Sequence, residues 1–507
     1  MLCAGHYAGL PATSFGSARA QHCGAWRPQL PQPAATFDLS VRSRNLAVHQ
    51  SETPEGPMRA YTVASRYVTE PEKQRFIVES DLRFPSFRLH TRVISIAGKG
   101  HWVDLATRTA TAEENELRSL PLFVRLLPQG VLREAEQNRA SLRLAHRGPG
   151  IPAFSYSRGS GEVYTVVVDA TTGLVSSVEF LQENGVDGDS LFVHTYSGYR
   201  DVAGMKVPAA YTMRRGSWLI AEATIDSLRI GEPVPDQDFK VPADIRTLTA
   251  AEPEMRFATL ATGLHLVRDV PGGYNVLVVE FADHVVVLET PEANNPNGTS
   301  KRVIAMIKER LPAKPIRYAI PTHHHGDHVG GIREYVAEGA TIVITAANEG
   351  FVRRLVAQDF TLKPDTLTKR RLPLKLELIS GKSRTFKDAT QELQLFVMDP
   401  SPAHVNEMLI GYLPQHRWVY QTDMFNPWSC FKEPVNHDDL GHTSAHADSQ
   451  ALVSTITRLG IAVDLVLGGH GREVTYQWLR TQTERRAADG LPMWACMPDE
   501  LIAAPAR

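Results

Sequence analysis

The apolar positions change rhythm along the chain. Over residues 51–246 they alternate with polar ones in short runs. "VYTVVVDATTGLVSSVEFL" (163–181) reads as two strands about a Thr-Thr-Gly turn, and "SWLIAEATIDSLRI" (217–230) as a half-buried antiparallel strand. "AEENELRSLPLFVRLLPQGVLREAEQNRASL" (112–142) has helical spacing broken at Pro128 and Gly130. Beyond residue 253 apolar strands and amphipathic helices take turns. "YNVLVVEFADHVVVLETP" (274–291) is two strands, "SKRVIAMIKERL" (300–311) a helix, and "IRYAIPT" (316–322) a buried strand. "GGIREYVAEGA" (330–340) then opens a helix and "TIVIT" (341–345) is a strand. This pattern predicts a mainly antiparallel β-rich domain followed by an α/β domain. The Pro- and Asp-rich stretch 231–255 separates them. The expected division is a loose tail over 1–50, the β-rich domain over 51–246, the α/β domain over 253–480 and a second tail over 481–507.

Composition narrows the function. A chain of 507 residues exceeds one ordinary core, in keeping with two domains. Lys plus Arg (54) nearly balances Asp plus Glu (56), which argues against a nucleic-acid partner and leaves a small-molecule substrate as the expectation. No apolar run is long enough to span a bilayer, and residues 1–35 lack the unbroken apolar core of a secretory signal. Cys3, Cys23, Cys430 and Cys496 form no CxxC pair, so cysteine is not the expected metal ligand. Oligomeric state is not legible.

One short stretch carries the chemistry. "PTHHHGDHVGG" (321–331) crowds His323, His324, His325, Asp327 and His328 into six positions. Protonated imidazoles repel one another, and each ring needs a hydrogen-bond partner. A cation removes the difficulty, because neutral imidazole and carboxylate are good zinc ligands. The stretch falls in a loop between a strand and a helix, a common place for active sites. Further candidates follow apolar strands: His404 in "MDPSPAHVNEMLIGYLP", Asp423 in "RWVYQTDMFNP" and His470 in "VDLVLGGHGRE".

The run His323-x-His325-x-Asp327-His328 matches the His-x-His-x-Asp-His signature of the metallo-β-lactamase superfamily. With His404, Asp423 and His470 in the same order, residues 255 to 480 resemble that superfamily. The resemblance implies an αββα sandwich. It implies one metal on His323, His325 and His404, a second on Asp327, His328 and His470, and Asp423 bridging them, with Asp327 and Asp423 taking part in catalysis. Zinc is the implied cofactor, two ions per chain; the ligand types also admit iron or manganese. A water shared by two dications loses a proton near neutral pH and attacks an electrophilic carbonyl or phosphoryl group. Superfamily β-lactamases generally lack the bridging aspartate, whereas glyoxalase II-like, lactonase-like and phosphodiesterase-like branches have it. Oxygen-reducing diiron relatives typically carry glutamate where this chain has His325. The implied function is a dinuclear zinc hydrolase of a small ester, thioester, lactone or amide. An iron-dependent persulfide dioxygenase and a non-catalytic binding protein with a structural metal remain alternatives.

Other residues have simpler expected roles. His324 should point away from the metals, with contact behind the ligands as the alternative. His437, His442 and His446 fall in a polar loop, with Asp448 as N-cap of the helix at 449–460. Asn406 and Glu407 either meet substrate or cap a turn, and Cys430 is a small buried hydrophobe. Asn297-Gly298-Thr299 matches a glycosylation sequon. The end of the first domain, with Gly204-x-x-x-Pro208 and Asp238-Phe239-x-x-Pro242, loosely resembles the β domains of bacterial outer-membrane lipoprotein carriers. That resemblance implies a bacterial, periplasmic or secreted setting and a sheet that binds an apolar ligand or shields the metal site; a folded spacer or dimerisation module is the alternative. All residues needed for chemistry are expected within 253–480.

Overall fold

In the computed structural model, residues 36–84, 88–105, 108–113, 122–159, 161–248, 254–292, 298–425 and 443–489 are described. The alternation in the first part produces a fourteen-stranded sheet. From edge to edge its strands are Arg246–Leu248, Thr109–Glu113, Lys99–Asp104, Arg88–Ile96, Arg75–Arg83, Arg59–Glu70, Phe37–Ala47, Trp218–Ile230, Ala210–Arg215, Gly188–Ser197, Val175–Asn184, Val163–Val168, Ala153–Ser157 and Arg143–Leu144. Every pairing is antiparallel except Arg246–Leu248 on Thr109–Glu113.

The sheet begins earlier than expected. Phe37–Ala47, assigned above to a loose tail, is a central strand between Trp218–Ile230 and Arg59–Glu70. Its apolar Leu39 and Val41 enter the core, while Arg42 faces out to Asp226. The Pro-rich stretch before it hides this short alternation. Two helices, Leu122–Leu126 and Pro128–Gln137, seat Leu126, Val131 and Ala135 on Leu39, Tyr164, Val178 and Ile225. Pro128 therefore starts a helix, where its missing N–H costs nothing, and Gly130 lies inside that helix.

The second part stacks two sheets between helices, the expected αββα order. One sheet has seven strands from Arg256–Ala261 to Lys375–Ile379, the other six from Ser383–Lys387 to Val474–Thr475. Period-two alternation sorts each strand between two cores. In Tyr274–Glu280, Leu277 and Val279 face the other sheet's Leu393, Leu395 and Leu467. Val276 and Val278 face outward onto Val303 and Ile307 of helix Thr299–Arg310 and Ile332 and Val336 of helix Ile332–Ala337. Both faces are covered, which is why this strand reads as a continuous apolar run. On the other side Ile410, Val419 and Val466 pack on Leu452 and Ile456 of helix Thr443–Leu459 and on Leu479. The last helix, Tyr476–Asp489, extends into the stretch expected to be a tail. No helix among the described residues is long and apolar enough to cross a membrane.

The two domains meet along two segments of the first sheet. At the turn after Val175–Asn184, Val186 enters the second domain's core and Asp189 N donates to Asp359 O at 2.9 Å. The other segment is the loop 48–58, between Phe37–Ala47 and Arg59–Glu70.

Candidate metal centre

Strand ends bring the predicted residues together. His323, His325, Asp327 and His328 follow Ile316–Ile320 and run into the short helix Gly326–Val329. Asp423 lies two residues beyond Trp418–Gln421, and His470 two beyond Leu465–Gly468. Those two strands are parallel neighbours, so their carboxyl ends emerge side by side. His404 sits between Glu392–Val397 and Leu409–Leu413, and Leu409 N donates to Thr322 O at 2.9 Å, tying the two sheets at the site. Gly469 permits the closeness: a Cβ there would lie 2.7 Å from Thr422 Cβ.

The seven residues form two groups, each with its ligand-type atoms within 4.8 Å of one another: His323, His325, His404 and Asp423, and Asp327, His328 and His470. Asp423 reaches both. Its Oδ2 lies 3.3 Å from His323 Nε2, 3.0 Å from His328 Nε2 and 3.0 Å from His404 Nε2. Its Oδ1 lies 3.1 Å from His470 Nε2. Asp423 adopts φ +62°, a left-handed conformation that costs a non-glycine residue ~1–3 kcal/mol and is common at functional sites.

The ring nitrogens behave as metal ligands would. His323 Nε2, His404 Nε2 and His325 Nδ1 are buried and make no hydrogen bond. Two of them, His323 Nε2 and His404 Nε2, lie 3.3 and 3.0 Å from Asp423 Oδ2. Behind the site, opposite nitrogens meet acceptors. His325 Nε2 donates to Ser51 O at 2.9 Å, His328 Nδ1 to Glu289 Oε2 at 2.7 Å and His470 Nδ1 to Gly273 O at 3.1 Å. A carbonyl only accepts, so these bonds fix which nitrogen of His325 and of His470 keeps its lone pair toward the centre.

Electrostatics agree. Burial pushes His323 down to about 3 and His325 well below its ordinary value, so both rings are neutral donors at neutral pH. Burial also opposes a charge on His328, but the carboxylates of Asp423, Asp327 and Glu289 outweigh it and raise its pKa. Burial works against the Asp423 carboxylate, yet His328 and His404 hold its pKa well below the usual range. No lysine or arginine pairs with Glu289, Asp327 or Asp423 among the described residues. Buried carboxylates without such partners are costly, and a divalent cation among imidazoles would offset that cost. The donor set therefore fits a metal.

Several participants were not anticipated. Glu289, fully buried, also accepts from Thr322 N at 3.1 Å. An acid directly after the apolar strand Val285–Leu288 was its one signal. Tyr274 Oη donates to Asp327 Oδ2 at 2.9 Å and Gln50 Nε2 to Asp327 Oδ1 at 2.6 Å, pairings with no local signature. His324 turns from the centre, as expected, and Nε2 donates to the Ser51 carbonyl at 3.0 Å. Asp448 is not an N-cap: it lies within helix Thr443–Leu459, and its Oδ1 accepts from His404 N at 2.9 Å. Asn406 N donates to Glu52 O at 2.9 Å, and Glu407 Oε2 is buried without a partner. Beside His404, Glu52, Ser401, Asn406, Gln450 and Ser454 line an open cleft of about 540 Å³. Asn297, Cys430, His437, His442 and the side chain of His446 lie outside the described residues. Gln50 and Ser51, from the first sheet's loop, also reach the site from outside 253–480, the stretch expected to hold the residues needed for chemistry.

Comparisons with known proteins bear on the second domain. No curated protein matches the chain. Among solved structures, a metallo-beta-lactamase from Pontibacter korlensis is 18% identical, with 46% of this chain and 98% of that one covered and a TM-score of 0.32. The metallo-beta-lactamase FIM-1 from Pseudomonas aeruginosa, in its mono-zinc form, is 19% identical, with 47% and 99% covered and a TM-score of 0.33. One from Hirschia baltica is 20% identical, with 46% and 97% covered and a TM-score of 0.31. The model of the metallo-beta-lactamase superfamily matches residues 270–470, which hold all seven clustered residues. The second domain of this chain is therefore a member of the metallo-beta-lactamase superfamily.

Proposed function

We propose that the protein is a dinuclear, zinc-dependent hydrolase of small esters, thioesters, lactones or amides. The observation that carries this reading is the Asp423 carboxylate, whose two oxygens lie within 3.3 Å of ring nitrogens from both groups. In this reading His323, His325 and His404 hold one ion, Asp327, His328 and His470 the other, and Asp423 sets the spacing between them. When bound, such ions supply Lewis acidity and water activated at neutral pH. The chain's own work is orientation. Glu289 and the Gly273 carbonyl hold His328 and His470 by their far nitrogens, and Tyr274 holds Asp327 from one side. Burial keeps His323 and His325 neutral, and Asp423 remains ionised beside His328 and His404. The cleft beside His404 has volume enough for a small molecule.

The test is metal analysis of purified full-length protein, paired with an ester, thioester, lactone, amide and β-lactam panel and an oxygen-consumption assay on a persulfide. Two zinc ions with hydrolysis of at least one non-β-lactam substrate is the expected result. A single iron with persulfide oxidation and no hydrolysis would overturn it.

A further inference from the structure

The metal-holding residues come from one domain, but part of what holds them in place comes from the other. Loop 48–58 leaves the first sheet and inserts against the histidine cluster. Its polar groups meet groups of opposite character. The Gln50 amide donates to Asp327 Oδ1 at 2.6 Å, while Tyr274 takes Oδ2, so both carboxylate oxygens are oriented and Gln50 supplies half of that. The Ser51 carbonyl accepts from His325 Nε2 at 2.9 Å and His324 Nε2 at 3.0 Å. With Nε2 committed to a carbonyl, the free lone pair of His325 sits on Nδ1, the buried nitrogen left without a hydrogen bond.

The loop is itself pinned so that these groups cannot drift. Gly326 N donates to His49 O at 3.1 Å, and Asn406 N to Glu52 O at 2.9 Å. Arg59 donates to the carbonyls of Ala403 and His404 at 2.6 and 2.8 Å. His49 is anchored to Asp187 at 2.8 Å, and Ser51 Oγ closes the turn onto Thr53 O at 2.6 Å. Ser51 is wholly buried, so its carbonyl meets the two rings out of contact with solvent. A filler loop would offer apolar contact; this one offers one donor and one acceptor, each to a different group of the centre.

We propose that Gln50 and the Ser51 carbonyl are positioning residues of the metal centre, Gln50 for the ion on Asp327, His328 and His470 and Ser51 for the ion on His323, His325 and His404, so that the first domain governs metal loading of the second. The proposal rests on the two-metal reading above. Partners of metal ligands typically change affinity by about 10–100-fold when removed.

The experiment is chelator-competition titration of zinc with the full-length chain as wild type, Gln50→Ala, Ser51→Ala and a two-glycine insertion after Ser51, with thermal melting of each. Gln50→Ala should weaken one ion about 10–100-fold and change the other less than about threefold. The insertion displaces the carbonyl and should weaken the other ion preferentially. Ser51→Ala keeps the carbonyl but loses the hydroxyl bond to Thr53 O that pins the turn, so it should weaken the ion on His323, His325 and His404 by less than the insertion does. Wild-type affinity for both ions in Gln50→Ala and in the insertion would overturn the proposal. So would equal weakening of both ions in step with a lowered melting temperature, because that is loss of packing. Wild-type stoichiometry scores the two-metal reading separately. Fewer than two ions overturns that reading, and the loop then stands or falls on whether either variant weakens the remaining ion.

Discussion

Histidine is buried in both domains, on opposite terms. In the first, His194 stacks beside Tyr211 and near Phe180, its Nε2 has no partner, and burial pushes its pKa down to about 4. Its neighbours are aromatic, and among the described residues no carboxylate is paired with it. In the second, His325, His328 and His470 each have an acceptor behind them and the opposite ring nitrogen turned inward to the shared centre. Burial alone therefore marks packing. A site is marked by direction: acceptors fixed behind, ring nitrogens converging ahead, and carboxylates without lysine or arginine partners among them.

That contrast can be broken most severely at the centre. His404→Ala or His323→Ala should lower kcat/KM by about 10³-fold or more and remove metal from its group, because activation of water depends on it. Normal turnover of the best substrate by either variant would place the chemistry elsewhere. The next largest effect is expected from cutting the domains apart. A chain starting near Ala251 loses Gln50 and Ser51 together, so affinity for each of the two ions should fall by about 10–100-fold even where circular dichroism shows a folded domain. Full-length affinity in a folded truncation would show the loop to be ornamental.

Glu289→Gln sharpens the comparison. It keeps shape but replaces the acceptor behind His328 with a neutral one, and metal affinity measured by chelator competition should fall about tenfold. Gly469→Ala tests the strand-end closeness. Its Cβ would meet Thr422, and the overpacking should cost ~1–3 kcal/mol, read as a lower melting temperature together with reduced metal content. An unchanged melt would mean that the two strand ends separate at little cost.

The smallest effect on the centre is expected at His194. Its folded pKa, about 4, lies below the ordinary 6.5, so the unfolded chain binds a proton more readily between those values. The neutral ring's stability is complete above pH 6.5 and declines as pH falls toward about 4, by at most ~3 kcal/mol. His194→Phe should flatten that slope in melts of the full chain while leaving metal content unchanged. A slope that persists would assign it to other groups.

What the sequence disclosed follows range of interaction. The seven clustered residues were legible because the close spacing within the six positions 323–328 and strand-end positions are local features, and periodicity alone sorted Leu277 and Val279 from Val276 and Val278. Glu289 was half legible, as an acid closing an apolar strand. Gln50, Ser51 and Tyr274 were not legible at all. Gln50 meets Asp327 across 277 positions of chain, and Ser51 acts through a backbone carbonyl that any residue type carries. Phe37–Ala47 was missed because its alternation is short and follows a Pro-rich stretch, yet nine pairings to Trp218–Ile230 make it central to the sheet.

The most direct test of the centre as a two-ion site joined by Asp423 is metal stoichiometry by mass spectrometry on full-length wild type and Asp423→Ala, purified side by side. Two zinc ions per wild-type chain and at most one in a folded Asp423→Ala chain is the expected result. Two ions retained by the variant, or one ion or none in the wild type, would contradict it.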